Sequence, residues 1–275
     1  NATSLRMSDI GYQSKAQKNL NIKYNSLSEF LNKIKKAMTV PFPEFEKQGL
    51  KDSKNEYQQI SNGIIQIENE YYDSIRPKRS QLKNHRPYDL LKEFGIEYLE
   101  IRGIDISPND ISGISLDQIQ FLDLLLIYCL ISPSPKITSK EKQEIDNNDS
   151  KAIYEGRNEN TEISLNGKSI NICTAENEII EGLRTLASYF NDCEKNLETI
   201  DNVLSMEKGK IPKENFHNDG LALGKVNTNI LRSENPKYID SIKKEAELSL
   251  DKLSKIPKNS KAEMDEYVKN YNMQL

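Results

Sequence analysis

The sequence is poor in the residues that build disulfide frameworks and metal clusters. Its 275 residues contain no tryptophan and three cysteines, Cys129, Cys173 and Cys193. The odd count and the spacings fit neither a CxxC pair nor a zinc site, so a reducing, cytoplasmic setting fits best. Cys129 lies in an apolar run and is expected to be a buried small hydrophobe. The two histidines, His85 and His217, are far apart and have no neighbouring ligands at metal spacing.

Long apolar runs and an excess of basic charge are missing as well. The longest apolar run, Phe121–Ile131, contains Asp123 and is too short to cross a bilayer. We expect neither a signal peptide nor a transit peptide. Lysine and arginine number 38 against 42 aspartates and glutamates, whereas a dedicated nucleic-acid binder is normally basic. Membrane and nucleic-acid partners are therefore not expected.

The familiar phosphate-binding and nucleophile loops are also absent from the sequence. There is no GxGxxG fingerprint, no P-loop lysine motif and no nucleophile elbow. If ATP is used by this chain, its phosphates are held by something other than a Walker loop.

The predicted elements place strands in the front half and helices in the rear half, which indicates an α+β fold. Residues 27–34 carry apolar side chains at helical spacing, and this helix is predicted to stop before Pro41. Another helix is predicted to begin at Ser115 or Asp117. Its segment Leu122–Ile131 is apolar on nearly every side, which predicts a helix buried between other elements.

The rear of the chain is predicted to be mainly helical. Asn166-Gly167 is a hairpin signal within residues 161–173, and residues 138–149 form a charged surface helix or loop. We therefore predict a sheet-forming part over residues 1–113 and a mainly helical part over residues 114–275. The rear helices are predicted over residues 176–205, 212–232, 236–255 and 260–272.

The segment Gly95–Ile106 alternates like a β-strand rich in Ile, Leu and Tyr. With a period of two, Tyr98, Glu100 and Arg102 share one face of that strand. A carboxylate and a guanidinium about 7 Å apart along a strand can hold a divalent cation and a phosphoryl group side by side. A solvated surface ion pair is the alternative, and the strand alone leaves it open. We expect the strand to pair with an extended segment at 61–75.

A run of basic residues without an acid extends from Arg76 to Arg86, in a predicted loop between the two strands. It fits a local phosphate cradle or a solvated basic loop about equally well, and sequence-specific nucleic-acid binding is a third option. Glu68 and Glu70 lie two residues apart, so they fit either a metal site or an exposed strand edge. None of these alternatives is decided by the residues themselves.

Four motifs lie along the front part of the chain: Ala2–Tyr12, Gln66–Tyr72, Ile75–Arg79 and Gly95–Ile106. Taken together, they resemble the bacterial glutamate–cysteine ligase family. The likeness continues through Phe121-Leu-Asp-Leu and Glu155-Gly-Arg157 and fades in the helical rear. It covers most of residues 2–160 in the order that the family has them.

The resemblance implies an ATP-dependent carboxylate–amine ligase with an antiparallel sheet of the glutamine-synthetase-like type in the front half. ATP would phosphorylate the γ-carboxylate of L-glutamate, and the amine of L-cysteine would attack the acyl phosphate. This reaction is the first step of glutathione synthesis. ATP as substrate and Mg²⁺ as cofactor are implied with it, which agrees with the need of phosphoryl transfer for positioned cations.

The resemblance also assigns residues to the nucleotide side of the site. Glu100 is similar to a magnesium ligand of the family. Arg102 is similar to the catalytic cation that neutralises charge on the phosphoryl group during transfer. Arg76 and Lys78 are carried over only weakly, as residues near phosphates.

On the other side of the site, Arg6, Tyr12 and Tyr72 resemble residues that line the cysteine-binding site. The family's enzyme is longer, and its front half supplies most of the acidic metal ligands. This chain therefore resembles the C-terminal half, is expected to need the N-terminal half of the same enzyme as a partner, and is expected to be inactive alone. A non-catalytic polyanion-binding domain that uses residues 76–86 is the alternative.

Overall fold

Within the residues that it describes, the computed structural model has nine α-helices and four β-strands. The residues described are 3–12, 14, 16–17, 20–83, 85–107, 110, 112–207, 236–257 and 260–274. The helices are α1 (Leu27–Thr39), α2 (Pro43–Gln48), α3 (Pro87–Phe94), α4 (Leu116–Ile131), α5 (Ser139–Glu155), α6 (Ile172–Ala187), α7 (Cys193–Glu207), α8 (Pro236–Ser254) and α9 (Lys261–Met273). The strands are β1 (Ile75–Lys78), β2 (Tyr98–Ile101), β3 (Glu162–Leu165) and β4 (Lys168–Asn171).

The chain divides into two compact units that interleave along the sequence. The first unit contains residues 1–105, 135–172 and 259–275. The second unit contains residues 106–134 and 173–258. The sequence predicted two parts with a single boundary after residue 113. That division into domains stays a prediction.

The core of the first unit is formed around α1. The Ser26 side chain caps its N-terminus by accepting a hydrogen bond from the Glu29 N–H at 3.1 Å, and the helix ends at Thr39, before Pro41 as predicted. Its apolar positions recur at helical spacing and therefore lie on one buried face. The buried core cluster contains Ile22, Phe30, Leu31, Ile34, Ala37, Met38, Ile65, Tyr71, Tyr88 and Leu91.

Strands β1 and β2 form an antiparallel pair in which Arg76 lies opposite Glu100 and Pro77 opposite Leu99. The prediction of a strand over 61–75 with a basic loop after it was wrong. Residues 61–74 are irregular apart from a 3₁₀ turn at Glu68–Glu70, and the beginning of the basic run is itself β1. Pro77 is tolerated there because β1 has a strand on one side only in the described sheet, so its missing N–H is not needed.

The predicted hairpin at 161–173 is confirmed as β3 and β4, joined by Asn166 and Gly167. Both turn residues have positive φ angles, 54° and 75°, which the twist of a two-residue hairpin requires. The hairpin packs beside α5, where the Asn148 amide bonds both backbone groups of Ser164, at 2.6 and 2.9 Å. The charged segment at 138–149 is a helix, capped by Thr138 and Glu141.

In the second unit, α4, α6 and α7 share a small core of Leu124, Ile180, Leu183, Ala187 and Ile200. The expectation that α4 is buried all round was wrong, since Leu124 is its one buried residue. Leu130 and Ile131 are 83% and 64% exposed, and Cys129 is exposed rather than buried. The predicted start of α4 at Ser115 is confirmed by a capping box with Gln118.

The remaining rear helices agree with the predictions only in part. The helix expected over 176–205 is two helices, α6 and α7, separated by residues 188–192. The helices expected at 236–255 and 260–272 are α8 and α9. The helix expected at 212–232 lies outside the described residues.

The described elements combine helices with two small antiparallel sheets, which agrees with the α+β class. The more specific layout, a glutamine-synthetase-like sheet, stays a prediction. Of the helices that the structure describes, none is both long enough and apolar enough to cross a membrane.

Candidate functional site

The β1–β2 pair brings Arg76 and Glu100 into a direct ion pair. The Arg76 Nε and Nη2 atoms both donate to Glu100 Oε2, at 3.0 and 2.5 Å. The Nη1 atom donates to the backbone carbonyls of Asn69, at 3.2 Å, and of Tyr71. Arg76 is 4% exposed, so its guanidinium is used inside the protein. The phosphate role expected for Arg76 stays a prediction, and its contacts are those of a residue that holds Glu100 in place.

Glu100 keeps one carboxylate oxygen available. Both donors of Arg76 bond Oε2, and Oε1 has no hydrogen-bond partner among the described residues. The side chain is 33% exposed. Partial desolvation acts to raise the pKa of Glu100, but the hydrogen bond and charge of Arg76, with the charges of Lys78 and Arg102, lower it below its ordinary value. The carboxylate is therefore ionised, and Arg76 holds it through Oε2 while Oε1 has no partner among the described residues.

Lys78 lies two residues after Arg76 on β1 and therefore on the same face of the strand. Its Nζ donates to the Asn69 side-chain oxygen at 3.0 Å. Desolvation, followed by repulsion from Arg76, lowers the pKa of Lys78. Three cations thus surround Glu100, which is a setting that favours an anionic group or a metal ion that arrives with one.

Arg102 lies just past the end of β2 and beside Tyr72, whose ring packs against Tyr12. Its guanidinium carbon is 5.6 Å from the ring centroid of Tyr72, and the rings of Tyr72 and Tyr12 are 5.0 Å apart. The backbone N–H groups of Arg102 and Gly103 both donate to the Ser74 carbonyl, at 2.7 and 3.0 Å. Tyr12 is 58% exposed, so this aromatic face is open to a ligand.

Arg6 lies in a segment, residues 3–12, that has no helix or strand of its own. Its Nε atom is buried and has no hydrogen-bond partner among the described residues. A buried guanidinium N–H without an acceptor is unfavourable, and an anionic group that accepts its hydrogen bond would remove that penalty. The Arg6 backbone N–H is held by the Asp105 carboxylate at 2.8 Å.

The arginines of the basic run, Arg76, Arg79 and Arg86, form hydrogen bonds and ion pairs within the protein. The Arg79 Nη1 atom donates to the carbonyls of Phe94 and Gly95, at 2.7 and 3.1 Å, and its guanidinium carbon lies 5.2 Å from the Phe94 ring centroid. Arg86 is 1% exposed and paired with Glu68. With Arg76 also buried, the run does not present a continuous cationic surface, so the polyanion-binding alternative is not favoured.

Glu68 and Glu70 belong to the 3₁₀ turn and not to an exposed strand edge. The Glu68 carboxylate bonds Arg86, while a Glu70 oxygen accepts the Gln66 N–H at 2.7 Å. Within the described ranges, no group of three or more His, Cys, Asp or Glu side chains is arranged to hold a metal ion. Glu100 is therefore one isolated oxygen donor in the described part of the chain.

Sequence reasoning missed one residue of the site, Asp105. It was part of a quoted motif but had no assigned role. Its carboxylate meets Arg6, which is 99 residues away in the sequence, so no local spacing signals the contact. The resemblance-based residues Arg6, Tyr12, Tyr72, Glu100 and Arg102 all lie in the first unit, as do Arg76 and Lys78.

Comparisons with known proteins point to one family. Residues 1–152 match the model of the glutamate-cysteine ligase family. The chain belongs to the glutamate-cysteine ligase family. A glutamate–cysteine ligase of Alcanivorax borkumensis is 41% identical over 194 residues, which are 69% of this chain and 37% of that protein. One from Saccharophagus degradans is 30% identical over 292 residues, covering 98% of this chain and 54% of that ligase.

A solved ligase structure is similar in fold to this chain. The crystal structure of the Francisella tularensis glutamate–cysteine ligase in complex with AMP matches with a TM-score of 0.75 and 25% identity. The match covers 100% of this chain and 58% of that protein. The chain therefore spans only part of the length of each of these ligases.

Proposed function

We propose that this chain is the C-terminal portion of an ATP-dependent glutamate–cysteine ligase. The observation that carries the proposal is an ionised carboxylate with one free oxygen, Glu100, close to the cation Arg102. Family membership supports the ligase class, and the AMP complex of the Francisella relative supports use of an adenine nucleotide. ATP phosphorylates the γ-carboxylate of glutamate and leaves as ADP. The cysteine amine then attacks the acyl carbon and expels phosphate, which forms γ-glutamylcysteine.

Glu100 is proposed as a ligand of Mg²⁺. A carboxylate oxygen is the donor that this ion prefers, and Oε1 has no partner among the described residues. When bound, Mg²⁺ would neutralise charge on the nucleotide phosphates. One carboxylate among three cations fits an ion that enters together with phosphate and has further ligands elsewhere. Those ligands are proposed to come from the N-terminal half of the ligase.

Arg102 is proposed as the catalytic cation. The phosphoryl group in transfer carries its charge on peripheral oxygens, and a positioned guanidinium stabilises that charge without covalent chemistry. The backbone contacts to Ser74 fix the base of the Arg102 side chain, and the Tyr72 ring lies under its guanidinium. Arg102 is therefore held in place before substrate arrives, as electrostatic catalysis requires.

Arg6, Tyr12 and Tyr72 are proposed to bind cysteine. The unpartnered Arg6 Nε suits the carboxylate of an amino acid, and the Tyr12–Tyr72 ring pair supplies an aromatic wall with hydroxyl groups. Lys78 is proposed to contribute charge near the phosphates. For Arg76, burial favours a supporting role beneath Glu100 over direct contact with phosphate. A cytoplasmic location and a glutamine-synthetase-like sheet complete the proposal.

Reconstitution tests the proposal. This chain is mixed with the N-terminal half of the ligase and supplied with Mg-ATP, glutamate and cysteine, and ADP and γ-glutamylcysteine are measured. We expect both products only when both halves are present. No ADP from two folded halves would overturn the proposal.

The catalytic role of Arg102 is tested by the substitution Arg102→Ala. We expect turnover to fall by roughly 10²–10³, with a much smaller change in the KM for cysteine, because the charge acts mainly in the transition state. Arg184→Ala is the matched control, since Arg184 pairs with Asp201 in the second unit. Normal turnover of Arg102→Ala removes this residue from the mechanism.

A further inference from the structure

The Asp105 carboxylate receives hydrogen bonds from three consecutive residues. Its Oδ1 accepts from the Ser4 hydroxyl at 2.9 Å and from the Arg6 N–H at 2.8 Å. Its Oδ2 accepts from the Leu5 N–H at 2.7 Å. Two neighbouring backbone N–H groups that converge on one anion form a small anion-binding nest, and bonds to a carboxylate are among the strong ones.

The segment held in this way depends on a few contacts for its shape. Ser4 closes the turn by accepting the Met7 N–H at 3.1 Å. At Gly11 a Cβ atom would lie 1.9 Å from the Arg6 carbonyl oxygen, so the chain folds tightly back on itself there. At its start, the Thr3 N–H donates to the Ile153 carbonyl at 2.8 Å. Asp105 supplies the contact that links the segment to the end of β2.

The same short stretch that carries Asp105 also fixes Arg102. Arg102 and Asp105 are three positions apart in the sequence, and the N–H groups of Arg102 and Gly103 both donate to the Ser74 carbonyl. The position of Arg6 is therefore tied to that of Arg102 through residues 102–105 and the Asp105 carboxylate. A change in this tie moves one side of the candidate site relative to the other.

We propose that Asp105 is a positioning residue that sets Arg6 and the segment 3–12 in register with Arg102 for binding the amino-acid acceptor. The inference rests on the proposed function for the identity of that acceptor, cysteine. Asp105 itself contacts the segment and has no direct role in the chemistry.

The substitution Asp105→Asn is a sharp probe because it preserves shape. One carboxylate oxygen faces the Leu5 N–H and the other faces the Arg6 N–H. Whichever way the amide is oriented, its NH₂ group meets a backbone donor, so at least one hydrogen bond is replaced by a conflict between two donors. The segment is then held less firmly while the side-chain volume is unchanged.

Two measurements on the full-length ligase test the proposal. Amide hydrogen exchange at Leu5 and Arg6 is expected to accelerate about ten-fold in Asp105→Asn, as loss of one such bond implies. The KM for cysteine is expected to rise about ten-fold, while kcat and the KM for ATP change by less than about two-fold. Asp146→Asn is the matched control, because Asp146 is exposed on α5 and bonds Lys142.

Several results would overturn the proposal. Unchanged exchange at Leu5 and Arg6, or faster exchange with an unchanged cysteine KM, excludes the positioning role. Equal losses for every substrate and for kcat indicate general damage and exclude it as well. If Asp105→Asn does not fold, Ser4→Ala removes one of the three donors, and a cysteine KM that does not rise contradicts the inference. If the wild-type ligase forms no ADP, the proposed function fails separately. The exchange measurement still tests whether Asp105 holds the segment 3–12.

Discussion

The substitution Glu68→Gln is expected to destabilise the first unit strongly. The Arg86 Nε and Nη2 atoms donate to the two oxygens of Glu68, at 2.9 and 3.1 Å. The Glu68 carboxylate also accepts the hydroxyl of Tyr271 at 2.9 Å and the N–H of Tyr88 at 3.3 Å. With side-chain exposures of 1% and 8%, both members of the ion pair are shielded from water. Four donors therefore converge on one buried carboxylate.

Removing the charge of Glu68 leaves Arg86 buried without a counterion, a change that costs about 3–5 kcal/mol in comparable sites. We place the cost at the lower end, about 3 kcal/mol, because other contacts of Arg86 remain, including one from Nη2 to Met38 Sδ at 3.1 Å. Its Nη1 atom still donates to the Tyr271 carbonyl at 2.8 Å, and its guanidinium carbon lies 3.7 Å from the Tyr271 ring centroid. The glutamine carbonyl also keeps one acceptor.

Urea unfolding followed by circular dichroism measures the change. With a slope of about 2 kcal/mol/M, the midpoint should fall by about 1.5 M at an unchanged slope. Asp201→Asn, which breaks the largely exposed pair with Arg184, is the control and should cost less than about 1 kcal/mol. If Glu68→Gln costs no more than that control, the buried pair of Glu68 and Arg86 does not stabilise the first unit more than an exposed ion pair does.

Three further predictions concern other parts of the first unit. Arg76→Lys should cost about 2 kcal/mol in urea unfolding, because an ammonium cannot reach both Glu100 and the carbonyls behind it. Burial, followed by the charge of Asp73, raises the pKa of Tyr24 and Tyr71. Folding favours their neutral forms, so stability should be complete below about pH 10 and decline above it, and equal unfolding midpoints on both sides of that pH contradict this. Gly167→Ala should cost about 1 kcal/mol in thermal melts from its φ of 75° alone, since nothing lies within 4 Å of the added methyl group; an unchanged melt contradicts it.

The parts of the fold that were predictable have local causes. The end of α1, the capping box of α4 and the Asn166-Gly167 turn each depend on residues within a few positions of one another. Strand β1 was missed because Pro77 and the surrounding charges suggest a loop, and its pairing with β2 is decided by distant residues. The exposure of α4 was also hidden, because an apolar sequence does not tell which of its faces has a neighbour.

The candidate site was predictable as a set of residues but not as an arrangement. The motifs identify Glu100 and Arg102, whereas the choice of Arg76 as the partner of Glu100 follows from strand register. The basic run illustrates the limit most clearly. The sequence shows how many charges the run carries. Only the packing shows that Arg79 donates to backbone carbonyls and that Arg86 pairs with Glu68.

The path of the chain through the first unit has a consequence for its synthesis. The Arg86 guanidinium, close to the α1 core, bonds the Tyr271 carbonyl 185 residues later, and α9 belongs to the same unit. Contacts at such separation are formed late, because a long loop must be closed before they contribute. On a ribosome, this unit therefore stays incomplete until α9 has left the exit tunnel. In a nascent chain halted earlier, Arg86 and Glu68 lack their contacts with Tyr271.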